Sequence, residues 1–138
     1  MDGGYLIDGY IDNSFTLNGA GSFYLSGAVF NEDVIFEGIV EIAGGTATAP
    51  IIKKNLINTG IVQFNDYPGT NTFGDDYFYI EGNLTNQGEI RGHRNQDDPS
   101  TGRTLTLRVD GDFNNNGIYT AEALWANGNI INSSEIDS

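Results

Sequence analysis

The sequence predicts an all-β chain wound as a parallel β-helix, a β-solenoid, and two observations carry that expectation. The first is a repeated phrase. "IEGNLTNQGEI" at residues 80–90 and "VDGDFNNNGIY" at residues 109–119 read almost alike, and ungapped alignment along the chain brings the copies to six. The second is composition. The 138 residues include 19 Gly, 8 Phe and 7 Tyr but only 3 Pro and a single Met, a mixture that favours strands and turns over helices.

The other copies are "IDGYIDNSFTL" (7–17), "LSGAVFNEDVI" (25–35), "IKKNLINTGIV" (52–62) and "ANGNIINSSEI" (126–136). In this alignment the third position is Gly9, Gly27, Gly82, Gly111 and Gly128, with Lys54 the exception. The fifth is always apolar: Ile11, Val29, Leu56, Leu84, Phe113 and Ile130. The seventh is always Asn: Asn13, Asn31, Asn58, Asn86, Asn115 and Asn132. The last is apolar again, from Leu17 to Ile136.

Each phrase reads as strand, turn, strand. Its first, third and fifth positions share a face at the period of two that a strand imposes. Asn-x-Gly follows at 58–60, 86–88 and 115–117. Asn bonds its own backbone two residues on and Gly accepts positive φ, so a sharp bend is expected there. Copies starting at residues 7, 25, 52, 80, 109 and 126 lie 18, 27, 28, 29 and 17 residues apart. Periods of about 20 to 30 residues built from short strands are those of a solenoid. Stacked corners would bring the Asn side chains about 4.8 Å apart, close enough for each carboxamide to bond the next; the alternative is that Asn serves turn geometry alone and faces water.

Between the phrases lie excursions. "QFNDYPGTNTFGDDY" (63–77) and "RGHRNQDDPSTGRT" (91–104) are polar and carry Pro and Gly, so surface loops or extra hairpins are expected. "FEGIVEIAGGTATA" (36–49) is more apolar and is expected to supply a further strand of the wall. The competing fold is an antiparallel β-sandwich, for which Asn18-Gly19, Asn116-Gly117 and Asn127-Gly128 would serve as hairpin turns.

"GNLTNQGEI" and "GDFNNNGIY" resemble the repeats of filamentous haemagglutinin-type adhesins and related secreted bacterial surface proteins. The resemblance covers the six phrases, about half the chain, and it rests on a short degenerate pattern. It implies a right-handed parallel β-helix and a secreted or cell-surface location. The irregular spacing and acidic loops depart from that pattern.

Nineteen acids against six bases give a formal charge of −13, which disfavours nucleic acid and anionic membrane as partners. No stretch approaches the roughly 20 apolar residues of a membrane span. "MDGGYLIDGY" has neither the basic start nor the apolar run of a signal peptide. The absence of Cys removes disulfides and thiol chemistry.

The one His, His93, lies within "RGHRNQDD" beside Asp97 and Asp98, where an exposed polar loop is the plain reading. Zinc does not suit one His and no Cys. Calcium suits the oxygen donors Asn65, Asp66, Asn71, Asp75 and Asp76 better, yet neither loop follows the order of an EF-hand or of a calcium-binding nonapeptide. No cofactor is therefore expected, with Ca²⁺ the one ion the loop donors would suit. A polysaccharide lyase or hydrolase would need paired carboxylates or a base with neutralising cations. Outside residues 91–108 the bases are only Lys53 and Lys54, so no enzyme is expected.

Aromatic residues Tyr67, Phe73, Tyr77, Phe78 and Tyr79 gather near the first long loop, with Trp125 at the last phrase. They suggest a carbohydrate-binding module as the alternative function, with Tyr67, Tyr77, Asp75 and Asp76 as ligand-binding candidates. Phe78 and Ile80 are expected to point inward, with Tyr77 and Tyr79 on the outer wall. The leading expectation is one solenoid domain over residues 1–138, a segment of a longer repeat protein, serving as a structural or adhesive module. Its partners would be neighbouring repeats, or copies of itself stacked end to end.

Overall fold

The computed structural model describes residues 4–18, 22–43, 50–65, 77–93, 106–120, 123–133 and 135–136. Its regular structure is strand throughout, and each described strand pairing is parallel. The described residues form a parallel β-helix of six rungs. The first rung holds β1 (Gly4–Ile11) and β2 (Phe15–Leu17), and β3 (Ser22–Phe30) closes it and opens the second. The second continues with β4 (Val34–Phe36) and β5 (Ile39–Ala43). The third holds β6 (Ile51–Ile52), β7 (Leu56–Asn58) and β8 (Ile61–Asn65), and the fourth holds β9 (Tyr77–Ile80), β10 (Leu84–Asn86) and β11 (Glu89–His93). The fifth holds β12 (Thr106–Val109), β13 (Phe113–Asn115) and β14 (Ile118–Thr120). The sixth holds β15 (Ala123–Ala126), β16 (Ile130–Asn132) and β17 (Glu135–Ile136).

Three walls result. The middle wall is the sheet β2-β4-β7-β10-β13-β16. The entry wall (β3-β6-β9-β12-β15) and the exit wall (β3-β5-β8-β11-β14-β17) join because β3 bends between them. Ser22 to Leu25 pair with β5, whereas Val29 and Phe30 pair with β6. The bend falls at Gly27, with φ of 65°, and β1 lies alongside with its own bend at Gly9, φ 118°. Both are left-handed conformations that a Cβ disfavours. The apolar gap at 36–49 supplies β5, a wall strand.

Stacking one rung on the next places like residues in columns. Leu84 is in register with Leu56 on one side and Phe113 on the other, and all three are buried in the interior. Phe78 and Ile80 also face inward, beside Leu107 and Val109. The core is one continuous apolar column system from Leu17 to Tyr119.

The register departs from the ungapped alignment in the first two rungs. Phe15 and Val34, not Ile11 and Val29, continue the Leu56 column. Ile11 instead belongs with Phe30, Ile52, Ile80, Val109 and Ala126 on the entry wall. The true copies thus begin at Ile11 and Phe30. The alignment had matched Gly9 and Gly27, which bend long strands, to glycines that turn corners.

The Asn column is shortened accordingly. Leu17, Phe36, Asn58, Asn86, Asn115 and Asn132 share it, so Asn13 and Asn31 stand elsewhere. Asn13 is exposed, and Asn31 Nδ2 donates to Asp12 at 2.6 Å on a corner. The remaining four form a ladder: Nδ2 of Asn58 donates to Oδ1 of Asn86 (2.9 Å), Asn86 to Asn115 (2.8 Å) and Asn115 to Asn132 (3.0 Å). Asn58 Nδ2 also donates to the Gly60 carbonyl at 3.3 Å and Asn115 Nδ2 to the Gly117 carbonyl at 3.2 Å, fastening each corner to its own rung.

A second ladder runs up the corner between the entry and middle walls. Asp33 Oδ1 accepts from the Asn55 backbone N–H (3.1 Å), Asn55 from Asn83 (2.9 Å), Asn83 from Asp112 (2.8 Å) and Asp112 from Asn129 (2.8 Å). Its sequence signal is the fourth phrase position, always Asn or Asp in the last four copies. The misplaced first two copies, with Tyr10 and Ala28 there, hide it.

The glycines of Asn-x-Gly serve close approach instead of positive φ. Among the described residues the positive-φ glycines are Gly9 and Gly27, not Gly60, Gly88 or Gly117. A Cβ on Gly88 would run into the carbonyl oxygen of Gly60, and one on Gly117 into that of Gly88. Asn116-Gly117 and Asn127-Gly128 each turn between strands of different walls, and with parallel pairing the antiparallel sandwich is overturned.

Candidate interaction site at the sixth rung

Outward residues of the entry wall form a column in which Val29, Ile51, Tyr79, Arg108 and Trp125 are in register. Tyr10 lies beside Val29 at the other end of that column. The Arg108 guanidinium sits between two aromatic rings, 4.7 Å from the Tyr79 centroid and 4.9 Å from that of Trp125. Each such contact stabilises by about 0.5–1 kcal/mol at a partly exposed site.

Asp110, at the following corner, ties the column together. Tyr79 Oη donates to its Oδ2, Asn127 Nδ2 donates to its Oδ1 at 2.7 Å, and Arg108 Nε lies 3.5 Å from Oδ1 as an ion pair. Trp125 Nε1 donates to Asn127 Oδ1 at 2.9 Å and closes the network. The Tyr79 hydroxyl, then Asn127 and the Arg108 charge, hold the Asp110 carboxyl below the usual carboxylate range. The same hydrogen bond to Asp110 pushes the Tyr79 phenol up.

The column ends on a rung that is open. Ile130 continues the inward Leu56–Leu84–Phe113 column, yet it is 52 % exposed where Leu84 is 0 %. Trp125, on the outer face of the same rung, is 48 % exposed, and Ile131 is exposed on the outer face of β16. At the opposite end Leu17 is buried, but Ile11 and Phe15 are only half-buried and Tyr10 is 75 % exposed. β2 is the last strand of its sheet, and β1 pairs with β3 alone.

Of the ligand-binding candidates, Tyr67, Asp75 and Asp76 lie outside the described residues, as do Asp97 and Asp98. Tyr77 opens β9 in register with Thr106, and His93 ends β11 opposite Phe64 where the register shifts. Among the described residues there is no cluster of three or more His, Asp or Glu side chains that could hold a metal ion. Among the described residues no helix is long and apolar enough to cross a membrane.

Sequence reasoning noticed Tyr79 and Trp125 as aromatics but missed Arg108 and Asp110. The signal is positional: Tyr79, Arg108 and Trp125 each stand immediately before the first residue of a phrase, so all three occupy one outward column. Comparison with protein-family models, with curated proteins and with solved structures finds no match.

Proposed function

We propose that the chain is a structural or adhesive β-solenoid module of a secreted or cell-surface bacterial protein. The observation that carries this reading is the contrast between a wall tied by two continuous ladders and a sixth rung whose core residue Ile130 lies open. Such a design suits a length of fibre or stalk, to which further rungs are added, because each rung needs a neighbour on both sides. The acidic surface keeps such a fibre soluble and away from anionic membranes.

The Tyr79–Arg108–Trp125 column also favours a structural role over sugar binding. The ring faces of Tyr79 and Trp125 that meet Arg108 are occupied by the guanidinium, so those two faces, unlike the exposed remainder of Trp125, offer no stacking platform to a glycan. Antibody detection of the chain in extracellular and surface-shaved fractions of the producing cell tests the location. Retention in the cytosolic fraction would end this reading. Glycan-array binding lost on Tyr67→Ala and Tyr77→Ala would move the function to a carbohydrate-binding module.

A further inference from the structure

We infer that the open sixth rung receives the first rung of a second copy of this chain, head to tail, with Trp125 stacked on the second copy's Tyr10. The inference rests on the solenoid-module reading and names the partner of its open end. The columns supply the match. Tyr10 and Trp125 are the two ends of one outward column, and both are exposed. Phe15 and Ile130 are the two ends of one inward column, and both are incompletely covered. One more rung step, about 4.8 Å, would bring each pair together in the register that every internal rung already keeps.

The backbone pattern continues across the junction as well. Within the solenoid, Asn31 N–H donates to the Ile11 carbonyl and Asn127 N–H to the Val109 carbonyl. By the same rule Asp12 N–H would donate to the Ala126 carbonyl of the preceding copy. Phe15 N–H donates to the Asp33 carbonyl and Phe113 N–H to that of Asn129. Ile130 N–H would therefore reach the Ser14 carbonyl. The corner ladder extends too, since Asn129 Oδ1 would accept from Ser14 N–H as Asp112 Oδ1 accepts from Asn129 N–H.

The exit wall imposes one adjustment. The first half of β1 precedes β3 on that wall and occupies the level that β17 occupies in the preceding copy. β17 holds its place through only two residue pairs, Ile118 with Glu135 and Tyr119 with Ile136, whereas β1 pairs with β3 along its length. At the junction β1 replaces β17 against β14. The charge of −13 on each copy opposes the approach, so assembly strengthens with salt, which screens charges beyond about 10 Å at 0.1 M.

The absence of native Cys makes crosslinking a clean test. In the doubly substituted chain Tyr10→Cys/Trp125→Cys the two positions stand five rung steps apart, about 24 Å, beyond the reach of an intramolecular disulfide. Mild oxidation at high salt is expected to give a ladder of dimers, trimers and longer species. Tyr10→Cys/Ile57→Cys, which places the second thiol mid-wall, is expected to give far less. Equal ladders from the two pairs, or a particle that sediments as a monomer at every salt concentration with no ladder, would overturn the junction. Truncation after Ser133 removes β17 and is expected to strengthen association severalfold; weaker association of that variant would overturn the strand replacement. Location does not enter these measurements, so a cytosolic chain that still gave the specific ladder would end the surface-module reading while leaving the junction standing.

Discussion

Phe36 lies directly in register with Asn58, and the Asn58 Oδ1 it faces is buried with no hydrogen-bond partner among the described residues. The ladder therefore starts with a deficit at its upper end and passes donors downward from Asn58 to Asn132. Position within the ladder should then set the cost of removing a member. Asn58→Leu removes the unpartnered oxygen, although it takes the donor from Asn86. Asn86→Leu keeps the Asn58 deficit and takes the donor from Asn115 as well. Leaving a buried polar atom unsatisfied costs about 1–3 kcal/mol. Asn86→Leu is expected to destabilise by about that much more than Asn58→Leu in urea unfolding. Equal losses would show that the ladder has no polarity.

Leu84 tests the core itself. It is fully buried between Leu56 and Phe113, and a parallel strand on each side limits how far the site can collapse. Leu84→Ala is expected to lose about 2–5 kcal/mol, the range for a buried Leu. A loss below about 1 kcal/mol would mean that neighbouring rungs close the cavity, contrary to the rigid stacking inferred from the ladders.

The later rungs were legible in the sequence because their phrases are complete. From Ile52 onward, the column at Leu56, Leu84 and Phe113 and the Asn column at Asn58, Asn86 and Asn115 stand where the pattern placed them. The first two rungs were not, for a physical reason. There the ladder position is apolar, Leu17 and Phe36, so the Asn signal is absent and Asn13 and Asn31 offered false matches. Gly9 and Gly27 reinforced the error, since a strand bend and a close-packed corner select the same residue type for different reasons. The Arg108 column stayed hidden because an outward position of a strand carries no apolar constraint. Only the register shows that residues 29 and 17 apart in the chain are neighbours.

Gly88 separates those two uses of glycine. Its Cα faces the backbone of the preceding rung, and an added Cβ would meet the Gly60 carbonyl oxygen, Thr59 and nothing flexible. Neither partner can withdraw without breaking the bond from Glu89 N–H to the Gly60 carbonyl at 2.9 Å. Gly88→Ala is expected to be strongly destabilising, by about 3 kcal/mol or more, in the class of overpacking at its severe end. Gly9→Ala meets open space, so its cost is confined to the strain of φ at 118°, about 1–2 kcal/mol. Reversal of that order in thermal unfolding would show that corner glycines are chosen for φ after all.

Tyr119 gives the fold a dependence on alkaline pH. Its side chain is fully buried on the exit wall, edge-on to Phe113 with ring centroids 5.5 Å apart, and burial pushes its phenol well above the ordinary value. In the unfolded chain the phenol ionises near pH 10. The folded state therefore holds a proton that the unfolded state releases, and stability must fall as pH rises through that value. The contribution is fully present below pH 10 and declines from there towards the higher folded pKa. Tyr79, also raised through its bond to Asp110, acts in the same direction but more weakly because it is partly exposed. Melting temperatures measured from pH 8 to 12 are expected to hold steady and then drop for the native chain. Tyr119→Phe is expected to start lower, having lost the hydroxyl, but to fall less steeply above pH 10, whereas Tyr79→Phe should keep most of the native slope. Parallel decline of native and Tyr119→Phe chains would show that the buried phenol is not the group that titrates.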